Sequence, residues 1–155
     1  MTRDRVTTRL ARSLDRLHAP IDLAAAVARK LERFRGDFQH DPALPIKDDL
    51  RPAAVLVPLV DRAEGMAVLL TVRDAGLPHH AGQISFPGGR IEASDATAAE
   101  TALRETEEEI GLARENVEIV GRLDDYITGT GFLVAPIVGL IQPPYELRPD
   151  PAEVA

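Results

Sequence analysis

The sequence predicts an α+β protein with a helical N-terminal segment, and three observations predict this class. Apolar residues in the first fifty positions recur at spacings of three and four, as on one face of a helix. After residue 53, apolar runs of strand length follow one another. A strongly acidic segment with helical spacing separates the middle runs from the last ones. Because strands and helices do not alternate regularly, we expect α+β or α/β layers rather than repeated βαβ units.

The composition is that of a folded domain with a sizeable core. The chain has 155 residues, of which 45% are hydrophobic, and this excludes a disordered protein. No apolar run reaches the length of a membrane span, and the charged N-terminus lacks the apolar stretch of a signal peptide. With no cysteine, the chain has neither disulfides nor thiolate metal sites. We therefore expect a cytoplasmic protein without a membrane partner.

The charge is unevenly distributed along the chain. Residues 1–50 hold ten Lys/Arg and eight Asp/Glu, whereas residues 51–155 hold eight and seventeen. Nucleic-acid binding requires a basic patch, so the acidic second part argues against a nucleic-acid partner. An anionic substrate bound there would need cations to neutralise it, which favours a metal-dependent site.

Two helices are predicted in the N-terminal segment. The apolar positions of the first are Leu10, Leu14 and Leu17. The second would begin near Pro20 and Asp22 and end at Gly36. Its apolar positions are Leu23, Val27, Leu31 and Phe34.

A linker with three prolines and several charges is predicted over residues 37–52. We interpret residues 1–50 as a helical extension and linker, which would serve as an amphipathic cap or as a dimerisation surface. Residues 51–155 are then the main domain, and a homodimer is one expected assembly.

Five strands are predicted in the main domain, at residues 53–60, 66–72, 84–86, 117–123 and 133–141. A five-residue loop at 61–65 would join the first two as a hairpin. Pro87, Gly88 and Gly89 predict a glycine-rich turn. Beyond Gln142, four prolines predict a tail without regular structure.

The acidic segment is predicted to be a helix over residues 96–110. Ser94 or Asp95 would be its N-cap, and Gly111 would end it. A stripe on one side would pack on the sheet; its members are Ala99, Leu103, Thr106 and Ile110.

Four carboxylates fall within five residues of this helix. At about 100° per residue, Glu105, Glu108 and Glu109 share an arc of roughly 100°, whereas Glu107 projects away and is expected to be solvated. Like charges three and four residues apart repel, and a divalent cation bound across them would remove the repulsion. The alternative is a solvated acidic surface helix. Arg104, next to Glu108 and Glu100, would form an ion pair that orients a ligand carboxylate.

The glycine turn and the acidic helix together resemble the Nudix box. That pattern runs Gly, five residues, Glu, seven residues, Arg-Glu, an aliphatic residue, any residue, Glu-Glu, any residue, Gly. The matching positions are Gly89, Arg104, Glu105, Glu108, Glu109 and Gly111. Asp95 stands in place of the first Glu, one residue further from Arg104, and Thr106 replaces the aliphatic residue.

Further upstream, the sequence is similar to the coenzyme A pyrophosphatase branch of the Nudix superfamily. The similarity lies in LLTVR at residues 69–73, HAGQ at 80–83, FPGG at 86–89 and TGTGF at 128–132. The chain departs from the branch signature at Asp74 and at Pro78, where a basic residue is usual. The resemblance implies an α/β/α sandwich with a mixed sheet. It also implies a further strand and a C-terminal helix, so we expect the chain to be truncated at its C-terminus.

The resemblance further implies hydrolysis of a pyrophosphate linkage in a nucleoside diphosphate derivative. Coenzyme A or acyl-CoA would yield 3′,5′-ADP and (acyl-)4′-phosphopantetheine. Mg²⁺ or Mn²⁺ would be held by Glu105, Glu108, Glu109 and the Gly89 carbonyl, and Arg104 would complete the catalytic set. The alternatives are ADP-ribose, a dinucleotide or a nucleoside triphosphate as substrate, or a non-catalytic Nudix-fold binding module.

Arg73, Gln83 and Gly88 are the candidate substrate-binding residues, with a loop-bracing contact as the alternative for the first two. Other conspicuous residues carry weaker signals. Adjacent His79 and His80 would point apart in an extended loop, which disfavours a shared metal. Tyr126 and Phe132 would border the substrate pocket or pack in the core, and Glu153 would supply an additional carboxylate.

Overall fold

The computed structural model describes residues 2–21, 35–41, 43, 47, 49–76 and 82–154. Its helices are α1 (Arg3–Leu10) and α2 (Ala98–Ile110), with 3₁₀ turns at Ala11–Arg16, Asp37–Gln39 and Arg114–Asn116. Its strands are β1 (Arg35–Gly36), β2 (Arg51–Arg62), β3 (Gly65–Val68), β4 (Thr71–Val72), β5 (Ile84–Ser85), β6 (Gly88–Arg90), β7 (Val117–Arg122), β8 (Tyr126–Ile127) and β9 (Phe132–Ile141).

A mixed sheet built around the parallel pair β2 and β9 forms the centre of the described fold. These two strands match ten residue pairs, from Arg51 beside Phe132 to Val60 beside Ile141. Strands β3 and β6 run antiparallel to β2, while β7 and β8 run antiparallel to β9. β1 adds to β8 in parallel, and β4 and β5 form a separate two-stranded sheet.

Helices cover both faces of the central sheet. Successive residues of a strand point to opposite faces, so alternate positions of β2 and β9 meet different helices. On one face, Ala98 and Ala102 of α2 pack with sheet residues Ala54, Leu56, Ala135 and Ile137. On the other face, Val6 of α1 packs with Leu59, Val120, Val138 and Leu140. The predicted α+β class with layered helices is therefore confirmed.

The N-terminal helix is shorter and tighter than predicted. α1 ends at Leu10 and continues as a 3₁₀ turn, which leaves Leu14 exposed while Leu10 and Leu17 stay half-buried. The turn is fastened to the sheet because Ser13 Oγ accepts a hydrogen bond from the Arg122 backbone N–H at 3.0 Å. The second predicted helix lies outside the described residues.

The strand predictions were right in position and wrong in two connections. The loop between β2 and β3 has two residues, Ala63 and Glu64, rather than five, since Arg62 already pairs with Gly65. Gly65 adopts φ +125°, which favours glycine at a tight hairpin. The run at 66–72 breaks after Val68, where the chain leaves β2 to pair with β5.

The glycine segment is a strand and not a turn. Gly88, Gly89 and Arg90 pair with β2 opposite Val55, Ala54 and Ala53. The prediction failed because glycine is permissive in φ and serves equally where two backbones approach closely. The segment is therefore a strand of the central sheet, and it contacts α2.

Helix α2 begins later than predicted. Its N-cap is Thr97, whose Oγ1 accepts from the Glu100 N–H at 3.2 Å. The Glu100 carboxylate accepts from the Ala96 N–H at 2.6 Å, close to a capping box. The predicted end is confirmed, because Gly111 takes φ +64°.

The buried stripe of α2 differs from the prediction. Ala98, Thr101, Ala102, Thr106, Glu109 and Ile110 are buried, while Ala99 and Leu103 are only partly so. Relative to the predicted stripe, the buried face of α2 is rotated toward Ala98, Thr101 and Ala102, so Ala99 and Leu103 lie at its flank.

The tail after β9 has no helix or strand of its own but packs against the end of α2. The Arg148 N–H donates to the Ile110 carbonyl at 2.7 Å, and the Asp150 N–H donates to the Glu109 carbonyl at 2.9 Å. Val154 then forms an isolated antiparallel bridge with Arg73. In the part of the chain that the structure describes, no helix is both long and apolar enough to cross a membrane.

Candidate active site

Three carboxylates of α2 run from the interior to the surface. Glu109 is 6% exposed, the Glu105 side chain is 18% exposed and that of Glu108 is 59% exposed. The helical spacing of three and four residues puts them on adjoining positions, as predicted. The three carboxylates therefore lie on adjoining positions of α2 at the edge of the helix–sheet contact, without converging on one point.

Glu109 lies where a negative charge is poorly solvated. Burial, together with the negative charges of Glu153 and Glu105, raises its pKa to about 7, even though the Gly88 N–H donates a hydrogen bond to it at 3.3 Å. Arg73 also lowers it. A buried carboxylate with so little compensation is a favourable place for a cation.

Glu105 is also desolvated. Burial raises its pKa, while Arg104 opposes the rise through a hydrogen bond and its charge. Arg104 Nη1 donates to Glu105 Oε1 at 2.9 Å and to Glu108 Oε2 at 3.2 Å. One guanidinium thus holds two of the three carboxylates.

Arg104 is oriented by a carboxylate that the prediction did not assign to it. Asp95 receives Nε at 3.0 Å on Oδ1 and Nη2 at 2.9 Å on Oδ2, a two-pronged ion pair. The guanidinium holds the pKa of Asp95 well below its usual range, and Asp95 raises the pKa of Arg104. The predicted contact to Glu100 was wrong, because that carboxylate bonds the Ala96 N–H instead.

Glu107 is not simply solvated, contrary to the prediction. Its carboxylate accepts hydrogen bonds from the backbone N–H and from the guanidinium of Arg114, each at 2.9 Å. The Arg114 hydrogen bond lowers the pKa of Glu107. Glu107 therefore fastens the turn after α2 and stands apart from the carboxylate set.

Gly88 and Gly89 allow the strand to pass directly under the carboxylates. A Cβ at Gly89 would overlap the carboxyl group of Glu105. A Cβ at Gly88, which has φ +153°, would overlap the backbone of Ala54 and Val55. The two glycines are required for different reasons: Gly89 for the position of Glu105, and Gly88 for the sheet itself.

The tail adds a fourth carboxylate. The Asp74 N–H donates to the Glu153 carbonyl at 2.9 Å, beside the bridge between Arg73 and Val154. The Glu153 charge acts on both Glu105 and Glu109. The sequence named Glu153 as an additional carboxylate, and the structure places it beside the other acids.

The donor chemistry of this site fits a hard divalent cation, which prefers carboxylate and carbonyl oxygens. Among the described residues, no three acidic or imidazole groups already converge as a ligand cage. The site is instead partly neutralised by Arg104, so an ion would share Glu105 and Glu108 with that guanidinium. The desolvated Glu109 is the observation that supports the fit.

A cavity of about 680 Å³ opens beside the carboxylates. Its lining residues are Arg51, Ala53, Val55, Arg73, Gln83, Ser85, Phe86, Gly88, Gly89, Arg90, Thr130 and Phe132. This one cavity is thus lined by all three candidate substrate-binding residues, Arg73, Gln83 and Gly88. Within the described residues, the buried Nε of Arg73 has no hydrogen-bond acceptor. A polar atom in that condition is suited to an anionic ligand.

Two cavity residues were missed from the sequence, namely Arg51 and Arg90. In the sequence, Arg51 precedes an apolar run and Arg90 follows two glycines. Neither pattern distinguishes a binding residue from an ordinary surface arginine. Phe132 lines the cavity, whereas the Tyr126 hydroxyl donates to Asp37 Oδ1 at 2.6 Å. His79, His80 and Pro78 lie outside the described residues.

Comparisons with known proteins find similar sequences and similar folds. A family model described as the NUDIX domain matches residues 50–149. The protein named Uncharacterized Nudix hydrolase NudL of Photorhabdus laumondii subsp. laumondii is 43% identical over 114 residues, which cover 74% of this chain and 60% of the relative. NudL of Citrobacter koseri is 47% identical over 105 residues, covering 68% of this chain and 54% of the relative. The chain thus spans less than two-thirds of the length of these curated relatives.

Solved structures share the fold. The M. smegmatis Nudix hydrolase RenU superposes with a TM-score of 0.55 at 24% identity, over 64% of each chain. A C. elegans Ap4A hydrolase superposes with a TM-score of 0.54 at 22% identity, over 66% of this chain and 74% of the other. At these identities, the likeness establishes the fold alone.

Proposed function

The chain belongs to the Nudix family, and on that premise we propose that it is a metal-dependent pyrophosphohydrolase acting on a nucleoside diphosphate derivative. Coenzyme A or acyl-CoA is the leading substrate, with 3′,5′-ADP and (acyl-)4′-phosphopantetheine as products. The observation that carries the proposal is the buried, poorly compensated carboxylate of Glu109 beside a cavity lined with arginines.

Nudix hydrolases generally use divalent metal ions, and we propose Mg²⁺ or Mn²⁺ here. Glu105, Glu108 and Glu109 would hold the ion, with the Gly89 carbonyl as a further oxygen ligand. When bound, the ion supplies charge neutralisation of the pyrophosphate and acidification of the attacking water. Replacement of Glu108 should therefore remove activity even though its side chain is largely exposed.

The remaining residues of the site position and neutralise. Arg104 holds Glu105 and Glu108 in place, and Asp95 fixes the plane of Arg104. Arg73 would donate to a phosphate oxygen, because its guanidinium lines the cavity and its charge already acts on Glu109. Glu105, Glu109 and Glu153 are the three candidates for the group that accepts a proton from water.

Glycine and glutamine complete the substrate wall. Gly88 has no side chain and lies on the cavity wall, so a ligand can approach its backbone closely. Gln83 lines the cavity and would contact polar groups of the substrate. ADP-ribose, dinucleotides and nucleoside triphosphates share the anhydride chemistry and are the alternative substrates.

The test is to incubate the protein with coenzyme A in the presence of Mg²⁺ or Mn²⁺ and to separate the products by chromatography. We expect 3′,5′-ADP to accumulate, and we expect Glu108→Gln to abolish it. Glu64→Gln, an exposed change at the hairpin, is the matched control and should leave turnover intact. If ADP-ribose, dinucleotides and nucleoside triphosphates also remain intact with either metal, the chain is a non-catalytic binding module.

A further inference from the structure

Three arginines line the cavity without a direct ion pair to a carboxylate among the described residues. They are Arg51, Arg73 and Arg90. Six other arginines are paired with carboxylates at up to 3.2 Å, namely Arg3, Arg16, Arg104, Arg114, Arg122 and Arg148, and the remaining described arginines without such a pair do not line this cavity. In a chain of net charge −7, unpaired guanidinium groups in one cavity favour an anionic ligand.

Arg51 and Arg90 are both held against the ring of Phe132. The Arg51 guanidinium carbon lies 4.1 Å from the ring centroid, and that of Arg90 lies 5.7 Å from it. Arg51 Nη2 also donates to the Thr130 carbonyl at 3.2 Å. Cation–π contact limits the freedom of both side chains while leaving most of their N–H groups available to a ligand.

The strand register separates this arginine pair from the carboxylates. Arg51 pairs with Phe132 and Ala53 pairs with Arg90, whereas Gly88, which bonds Glu109, pairs with Val55. Arg51 and Val55 are four residues apart on β2, roughly 13 Å at the usual strand rise. Arg90, opposite Ala53, lies closer to Val55, but the Arg51 end of the span is further away than one phosphate group reaches, so the cavity has room for two anionic groups of one ligand.

We infer that Arg51 and Arg90, held against Phe132, form a second phosphate position that takes a phosphomonoester on the nucleoside part of the substrate. The first position, near Arg73 and Glu109, takes the anhydride that is cleaved. This inference rests on the proposed function for its choice of ligand. It makes the pair specificity-determining, because a nucleoside diphosphate derivative without the extra phosphate would leave both guanidinium groups unpaired.

Binding of mononucleotide products tests this position without turnover. Adenosine 3′,5′-bisphosphate and AMP differ by one phosphomonoester and can be titrated calorimetrically under identical Mg²⁺ concentrations. We expect the bisphosphate to bind at least tenfold more tightly. Arg51→Gln and Arg90→Gln should each reduce this preference, and the double variant should bring the two affinities within twofold of each other.

A matched control separates a local contact from a general charge effect. Arg62→Gln removes the same charge from the far end of β2, where the side chain is exposed, and should leave the preference unchanged. Equal affinity of the two nucleotides for the unmodified chain would overturn the inference. So would a preference that survives in the double variant, or one that Arg62→Gln reduces equally.

Turnover tells the two proposals apart. Coenzyme A and dephospho-coenzyme A differ by the same phosphomonoester, so kcat/KM should fall about tenfold for coenzyme A alone in Arg51→Gln. If neither compound nor any other pyrophosphate is hydrolysed while the nucleotide preference holds, the proposed function fails and the phosphate position stands. If both are hydrolysed equally and the arginine variants change neither, the phosphate position fails and the proposed function stands.

Discussion

Asp95 grips Arg104 with both carboxylate oxygens, at 3.0 Å to Nε and 2.9 Å to Nη2. The eight residues between them in sequence include the start of α2, so the pair ties the loop before the helix to the side of the helix that carries Glu105 and Glu108. Thr101 Oγ1 and the Glu92 N–H also donate to Asp95, both to Oδ2 at 2.9 Å. Asp95 therefore orients Arg104, and Arg104 in turn binds Glu105 and Glu108.

Asp95→Asn should weaken activity while leaving every candidate metal ligand in place. The amide would lose one charge-assisted acceptor, and Arg104 would hold Glu105 and Glu108 less rigidly. Removing such a supporting group commonly costs about 10–100-fold in metal affinity or activity. Metal-activation curves measure the change. Asp49→Asn, at an exposed position, is the control and should behave as the unmodified chain. An unchanged curve for Asp95→Asn would contradict the positioning role.

Alanine should lower stability at Gly88 and turnover at Gly89. At Gly88, the new Cβ meets backbone, which cannot move, so Gly88→Ala should lower the melting temperature strongly. At Gly89, it meets the end of the Glu105 side chain, which can rotate away. Gly89→Ala should therefore stay folded and lose turnover. Thermal melts and product formation on the two variants, measured side by side, check this; similar melting temperatures would contradict it.

Glu153→Gln should stabilise the metal-free protein and slow the reaction. Its charge adds to those of Glu105 and Glu109, so neutralising it relieves repulsion in the folded state. The same change removes a candidate proton acceptor, and we expect kcat to fall by about tenfold or more. Melting in a chelator and turnover with Mg²⁺ give the two readouts. Glu146→Gln, exposed on the same tail, is the matched control.

Arg122→Ala should be one of the most damaging single changes in the N-terminal contact. The buried guanidinium donates to the Arg16 and Ala19 carbonyls and to both oxygens of Asp125. Breaking a buried ion pair from one side costs about 3–5 kcal/mol. Chemical denaturation measures the loss. Arg148→Ala breaks a fully solvated pair with Glu146 instead and should cost less than about 1 kcal/mol.

Asp37 should make the fold sensitive to acid. Its carboxylate accepts from the Gly129 N–H at 2.7 Å and from the Tyr126 hydroxyl, and these bonds lower its pKa from 3.8. A depressed pKa means that the stabilisation is complete above pH 3.8 and is lost as the pH falls below it. Asp37→Asn should cost about 1 kcal/mol at neutral pH, and the difference from the unmodified chain should shrink in acid. Urea denaturation at several pH values tests this.

The alkaline side of the same bond gives the complementary expectation. The Asp37 hydrogen bond and burial raise the pKa of Tyr126 to about 12. A raised pKa means that this stabilisation is complete below pH 10 and declines as the pH rises toward 12. Tyr126→Phe should remove that alkaline loss, and an identical alkaline profile in both proteins would contradict the assignment.

Features that depend on local spacing were predictable from the sequence. Glu105, Glu108 and Glu109 share a side of α2 because helix geometry fixes that relationship, and Gly111 ends the helix because it can adopt a positive φ. The positions of the main strands were predictable because apolar runs of strand length mark them in the sequence. A cytoplasmic location, a homodimer and the boundary at residue 51 stay predictions.

Features that depend on tertiary approach were not predictable. Several polar residues before α2 could have been its N-cap. In the folded protein Thr97 is the N-cap, and Asp95 binds Arg104 instead. The buried stripe was misjudged because the apolar positions alone did not fix the rotation of α2 about its axis, and the packed helix buries Thr101 and Glu109 while Leu103 is only partly buried. The contact of Arg51 with Phe132 joins residues eighty-one positions apart and follows from the parallel register of β2 and β9.

The hydrogen bonds that end α2 also govern the geometry of the tail. Amides of Arg148 and Asp150 satisfy the last carbonyls of the helix, and the same short segment then carries Glu153 to Glu109. The number of residues between Asp150, which bonds the end of α2, and Glu153, which bonds Asp74, therefore determines where the Glu153 carboxylate lies. Adding one residue between Asp150 and Glu153 would preserve the end of α2 but move the Glu153 carboxylate away from Glu105 and Glu109.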